Sequence, residues 1–225
     1  MPSPRPNLLL LNASLAGDAG NTAVLLARAR RLLARRATVE SITLAAPSVS
    51  YSSASGSRLS ALSSQPSPPV SQLSALNSQL SAADGFLIGT GTHWDSWSSV
   101  LQKFLEDTTA TEATALWLGK PAAVVVSEHS TGGKGVLSRL QGVLVTFGCL
   151  IPPMSGLVLS RAAVIAAQHA PDPATTRDLW CEDDLRVICH NLAEAARVSL
   201  PHAKPPLPRW RTWPVDRRDF AARWL

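Results

Sequence analysis

Residues 8–36 read LLLLNASLAGDAGNTAVLLARARRLLARR, and the order of the parts in this stretch decides the fold. Leu8 to Leu11 form a short continuous apolar run, the composition of a strand buried on both faces. A polar, glycine-bearing turn follows, and then the spacing predicts a helix from about Thr22 to Arg36. Leu25, Ala29, Leu32 and Leu33 fall on one stripe of that helix, while Arg30, Arg31, Arg35 and Arg36 crowd its C-terminal end, where the helix dipole favours cations. Strand, turn and helix in this order make one unit of a parallel sheet.

The pattern recurs along the chain. Strands are predicted at Val39 to Leu44, at Gly85 to Ile88, at Ala122 to Val126 behind Lys120-Pro121, and near Cys149 to Ile151. Helices are predicted near Val70 to Ala82, over the spacing of Trp97, Val100, Leu101, Phe104 and Leu105 with Ser96 as cap, and from about Gly133 to Phe147 with Gly148 as terminator. A last helix, from about Asp178 to Val198, carries Leu185, Ile188, Cys189, Leu192 and Ala196 on one face. The alternation predicts an α/β fold, a doubly wound five-stranded parallel sheet with helices on both faces. A chain of 225 residues with 45% hydrophobic content suits one such domain, expected over 1–203. Residues 47–70 interrupt it as a Ser/Pro-rich excursion, and 204–225 form a tail rich in Pro, Arg and Trp.

Other features narrow the functional classes. No run of eighteen uncharged apolar residues is present and the N-terminal apolar stretch is too short for a signal peptide, so a cytoplasmic protein without membrane contact is expected. Cys149, Cys181 and Cys189 form no CxxC pair, and the five histidines are scattered, so no metal site is expected. The sequence also lacks a G-x-S-x-G elbow. The tail holds six basic groups against Asp216 and Asp219, which accounts for four of the net +5. The folded body is therefore close to neutral, and the Arg/Trp-rich tail alone argues poorly for nucleic-acid binding. Trp210, Trp213, Phe220 and Trp224 are expected to pack on the domain or on a second subunit.

Ligands of an open parallel sheet bind beyond the carboxyl ends of its strands. Three strand-to-helix loops have unusual composition. In Asn12 to Thr22, small residues with Ser14, Asn21 and Thr22 suit a phosphate cradle at a helix N-terminus, and the absence of GxxxxGK[ST] and GxGxxG favours a monophosphate. Gly89 to Ser96, with Thr90, Gly91, Thr92, His93 and Trp94, suits the rim and face of a flat ring. Ser127 to Gly133, with His129 and Gly132, can bring backbone N–H groups to the same mouth.

Three blocks carry a resemblance. They are Asn12-Ala13-Ser14 with Gly20-Asn21-Thr22, Ala83 to Thr90 with Ser98 to Asp107, and Leu118 to Val124 ending in Thr131-Gly132-Gly133. Over roughly residues 7–160 the sequence resembles the NADPH-dependent FMN reductase and NAD(P)H:quinone oxidoreductase group of flavodoxin-like proteins. The resemblance implies that flavin mononucleotide (FMN) is the cofactor and NAD(P)H the co-substrate, with hydride passing through the flavin to a quinone, free flavin or similar small acceptor, in a homo-oligomer (dimer or tetramer). It also implies that Ser14, Asn21 and Thr22 hold the FMN phosphate, that Thr90, Gly91, Thr92, His93 and Trp94 line the isoalloxazine, and that Ser127, His129, Gly132 and Gly133 close the other side. Three departures stand out: Leu15 and Ala16 lie where many members carry an arginine, Gly91-Thr92-His93 replaces Pro-x-Tyr, and the excursion holds no cysteine cluster. The alternative reading is a non-catalytic flavodoxin-like module that binds another ligand or a partner protein.

Overall fold

The computed structural model describes residues 5–44, 70–171, 179–181 and 183–199. The serine-rich excursion and the Trp/Arg-rich tail lie outside the described residues, and with them the expectations about tail packing. Five parallel strands, β1 (Asn7–Ala13), β2 (Thr38–Thr43), β3 (Gly85–Gly91), β4 (Ala122–Glu128) and β5 (Gly156–Ser160), form one sheet in the order β2-β1-β3-β4-β5. The described helices are α1 (Asn21–Leu33), α2 (Val70–Ala82), α3 (Ser99–Asp107), α4 (Gly133–Phe147), α5 (Arg161–His169) and α6 (Asp184–Val198).

Side-chain alternation along the central strands divides the core into two layers. Leu8, Leu10, Leu87, Ala123, Val125 and Leu157 face α1 and α6, whose Leu25, Ala29, Leu33, Leu185, Ile188, Cys189, Leu192 and Ala196 complete that layer. Leu9, Leu11, Phe86, Ile88, Val124 and Val126 face the opposite side, where Leu101, Phe104, Val136, Leu140 and Leu144 of α3 and α4 cover them. Trp117, from the connection between α3 and β4, is fully buried in this second layer.

Several boundaries have clear local causes. Gly148 ends α4 in a left-handed conformation (φ +104°), as its position predicts. Ser98, not Ser96, caps α3: its Oγ accepts the N–H of Leu101 at 3.1 Å and donates to the carbonyl of Ala13 at 2.5 Å. Ser96 is occupied in a two-residue turn, with N–H···O=C bonds of 2.8 and 2.9 Å exchanged with His93. Lys120 is structural. Its Nζ donates to the carbonyls of Leu80 and Ser81 at the end of α2 and lies over the Phe86 ring, and burial lowers its pKa although Asp84 opposes the shift.

Two expectations are corrected. The fifth strand is Gly156–Ser160 and not Cys149 to Ile151, because Pro152 and Pro153 follow at once and cannot donate to a ladder. Leu150 makes only a single bridge to Pro121 before the chain turns and enters the sheet six residues later. Beyond it the chain forms α5, which is not among the predicted helices and none of whose residues is buried. Helix α6 also starts later than expected, at Asp184.

The cysteines differ in what packing leaves them. Burial pushes the Cys149 and Cys189 thiols up to about 12, whereas Cys181 is exposed. Thiolates carry the reactivity, so native protein at neutral pH should react with a thiol reagent at Cys181 alone. Titration with Ellman's reagent should give one thiol in the folded protein and all three after denaturation; a second fast-reacting thiol in the native state would contradict this.

Candidate flavin cleft

The register of the sheet places the three unusual loops side by side. Ala13 lies opposite Thr90, Thr90 opposite Val126, and Gly91 opposite Ser127, so β1, β3 and β4 end level with one another. The connections after β1 and β3 then leave on opposite faces of the sheet, which opens a crevice between them.

The first loop is braced from within. Asn12 donates from Nδ2 to the carbonyl of Gly17 at 3.0 Å and accepts the N–H of Ser14 at 3.2 Å, while Ser14 Oγ accepts the N–H of Ala16 at 3.2 Å. Gly20 precedes α1 and provides no side-chain cap, so the positive end of α1 faces the crevice without an intramolecular acceptor on that residue. A Cβ on Gly20 would come within 2.7 Å of Ser14 Oγ and 3.0 Å of the Ala16 methyl, so the hollow depends on a hydrogen at this position. Thr22 is buried, and its hydroxyl meets Ser127 Oγ at 2.7 Å, which ties the first loop to the third.

The second loop is held by its neighbours. Thr90 is fully buried and its Oγ accepts the N–H of Ser98 at 3.2 Å. The N–H of Thr92 reaches the carbonyl of Ser127 at 3.0 Å, whereas Thr92 Oγ1 is buried with no hydrogen-bond partner. Trp94 and Asp95 form the turn with φ of 49° and 57°, values that side chains other than glycine rarely adopt, and Trp94 is wholly exposed. Arg139 of α4 donates to the carbonyl of Asp95 and stacks over Trp97, so the second loop is fastened to α4.

A cleft of about 370 Å3 results, within the roughly 300–1,000 Å3 of small-molecule sites. Of the residues singled out in the sequence, Ser14, Asn21, Thr22, Gly91, Thr92, His93, Ser127 and His129 line it. Thr90, which is fully buried, and Trp94 are not among its lining residues. Gly132 and Gly133 stand at the start of α4: a Cβ on Gly132 would fall 2.2 Å from Asp95 Oδ1, and the N–H of Gly133 is bonded to Glu128 Oε2 at 2.5 Å. The cleft also receives two charged residues that the sequence did not single out, Glu128 and Arg161. Arg161 arrives from α5, whose Ala162 N–H is bonded to the carbonyl of His129 at 2.8 Å. A roomier, mostly apolar groove of about 530 Å3 beside α5 includes Val164, Leu179 and Trp180 but none of the three loops, so the polar groups of those loops belong to the smaller cleft.

Fold and cleft define a flavodoxin-like α/β protein. The family model of NADPH-dependent FMN reductases matches residues 6–164, and the chain belongs to that family. It is accordingly a flavin-dependent oxidoreductase, with FMN as cofactor and NAD(P)H as electron donor. Similar solved structures include RosB with bound 8-demethyl-8-formylriboflavin-5'-phosphate, with 16% identity over 86% of this chain and 79% of that one and a TM-score of 0.64. An oxidoreductase from Corynebacterium diphtheriae is 14% identical over 85% and 97% of the two chains, with a TM-score of 0.57. The NAD(P)H:(acceptor) oxidoreductase FerB from Paracoccus denitrificans is 17% identical over 83% and 97%, with a TM-score of 0.53. At these identities the likeness is one of fold. No curated protein matches the chain in sequence.

The residues present fit FMN. The hydrogen-sized gap at Gly20, the helix end without a side-chain cap and the hydroxyl of Ser14 suit a phosphate, and the buried, unpartnered Thr92 Oγ1 suits the polar edge of a ring. Among the described residues no helix is long and apolar enough to cross a membrane.

Proposed function

We propose that this cleft binds FMN with its phosphate against Ser14, Asn21 and Thr22 and its ring against Gly91, Thr92, His93, Ser127 and His129, and that the protein passes hydride from NAD(P)H to a small flat acceptor of the quinone or free-flavin type. The observation that carries this reading is the Gly20 hollow at the start of α1, level with the two other loops around one cleft. When bound, FMN supplies a carrier that takes up and releases hydride, and the organic chemistry is its own.

The chain's residues bind and orient. Main-chain N–H groups at the start of α1 meet negative charge, and the helix dipole adds to their attraction. Thr92 Oγ1 is free to bond a ring heteroatom. Thr22 and Ser127 hold the first and third loops at a fixed separation through their shared hydrogen bond. His93 and His129 add two imidazoles to the lining of the cleft that a donor and then an acceptor would enter. Trp94 is held outside on a strained turn as a wholly exposed apolar face. Gly132 and Gly133 act behind the cleft by seating Asp95 and Glu128.

Purified protein mixed with FMN and then desalted should keep the yellow colour and visible absorption band of bound flavin. It should also oxidise NADPH or NADH when a quinone or excess free flavin is added. Protein that retains no flavin after desalting would contradict the reading. A protein that binds FMN yet oxidises no nicotinamide would favour a non-catalytic flavin-binding module.

A further inference from the structure

A phosphate monoester at neutral pH brings close to two negative charges, and a helix end offers the equivalent of only about half a positive one. The first loop adds no cation: Leu15 and Ala16 occupy its middle, and the Asp18 carboxylate is drawn aside by the Thr43 hydroxyl at 2.6 Å. The charged residues lining the cleft are Glu128 and Arg161. Glu128 is already engaged by the N–H of Gly133, at the α4 N-terminus where an acidic group is favoured. Among the described residues the remaining charge is the guanidinium of Arg161.

Nothing local accounts for an arginine at this position. Arg161 is the first residue of α5, the end of a helix at which the dipole disfavours a cation, and the first turn of α5 contains no acidic residue. Among the described residues Arg161 makes no ion pair. Its backbone is nevertheless well fixed. Ser160 Oγ caps the helix by accepting the N–H of Ala163 at 3.3 Å, and the N–H of Ala162 is bonded to His129 in the third loop. Arg161 shares the cleft wall with Ser14, Gly20, Asn21 and Thr22, the residues of the hollow.

We infer that Arg161 is the phosphate-binding cation of this cleft, carried on α5 in place of one in the first loop, and that it selects phosphorylated flavin over riboflavin. The inference rests on the FMN reading above. A guanidinium binds a phosphate through paired charge-assisted hydrogen bonds, which a lysine reproduces only in part. The unfavourable dipole at the start of α5 is offset when the phosphate is present, and the bond between Ala162 and His129 couples the cation to the loop on the ring side. Arg161 also borders an adjoining groove of about 270 Å3 with Asn21, Val24 and Arg28, so a phosphate of the nicotinamide donor is the competing occupant.

The test measures dissociation constants of FMN and of riboflavin on flavin-free protein by quenching of flavin fluorescence, for the wild type, Arg161→Ala and Arg161→Lys. Arg161→Ala should weaken FMN by about a hundredfold, the worth of two charge-assisted hydrogen bonds at the low end of their range, and leave riboflavin unchanged. Arg161→Lys should recover part of the loss, and the wild type should lose FMN affinity with rising salt more steeply than Arg161→Ala. Equal loss for both flavins would show a merely structural role, and an unchanged FMN constant with a raised KM for NADPH would assign Arg161 to the donor; either overturns the inference while the FMN reading stands. A wild type that binds neither flavin overturns both.

Discussion

Trp117→Ala should lower the unfolding free energy by about 3–5 kcal/mol, the usual cost of emptying a large aromatic site in a packed core. Trp117 is fully buried between three phenylalanines, with ring centroids 5.0 Å from Phe86, 6.1 Å from Phe104 and 5.2 Å from Phe147. Those rings belong to β3, α3 and α4, so one side chain joins the sheet to both helices that carry the second and third loops. The edge-on and tilted contacts contribute beyond area alone. The indole N–H is satisfied as well, donating to Thr111 Oγ1 at 2.8 Å. Trp117→Phe should cost less than half as much, since it keeps most of the ring volume and leaves an acceptor, not a donor, without its partner. Urea unfolding followed by circular dichroism measures both, and the alanine variant should melt roughly 6–20 °C earlier. A loss below about 1 kcal/mol for the alanine variant would mean that the surrounding rings collapse into the space, contrary to the rigid packing argued here.

The sequence announces what depends on period and composition. β1 and β4 are continuous apolar runs because both their faces are covered, and α4 runs from Gly133 to Phe147 because Gly148 can take the left-handed conformation that ends it. Whatever depends on a competing bond stays hidden. Ser96 and Ser98 both precede the apolar spacing of α3, and only the exchange of bonds between His93 and Ser96 shows that Ser98 is the cap. The same holds for the site. The loops after β1, β3 and β4 are recognisable by composition, and a parallel sheet must bring their starts together. Composition cannot say whether the amide of Gly133 faces a ligand or a carboxylate, and Glu128 decides it. Arg161 escapes notice for a different reason, because it follows β5, a strand the sequence reading places too early, and so lies outside the three loops singled out by composition.

Gly20→Ala should weaken FMN by about ten- to a hundredfold while leaving the fold almost untouched. The backbone of Gly20 is extended (φ −86°, ψ 162°), a conformation open to any residue, so the substitution carries no dihedral strain. Exchanging one side chain that cannot cap α1 for another costs less than about 1 kcal/mol of stability. The effect on the hollow is steric. The added methyl would sit 2.7 Å from Ser14 Oγ and 3.0 Å from the Ala16 Cβ, both well inside contact distance. Ser14 can move only by releasing the N–H of Ala16, so the hydroxyl leaves the position from which it is proposed to meet the phosphate. One charge-assisted hydrogen bond lost, at about 1.5–3 kcal/mol, gives the ten- to hundredfold range. Ser14→Ala in the Gly20→Ala background should then add little, because the hydroxyl has already been displaced; the two changes are coupled through one contact and their effects do not sum. Fluorescence titration with FMN on the two single variants and the double variant measures this, with thermal melts to show that each is folded. If Gly20→Ala binds FMN as the wild type does, the start of α1 is not where the phosphate sits, and the cleft must be read from its other end.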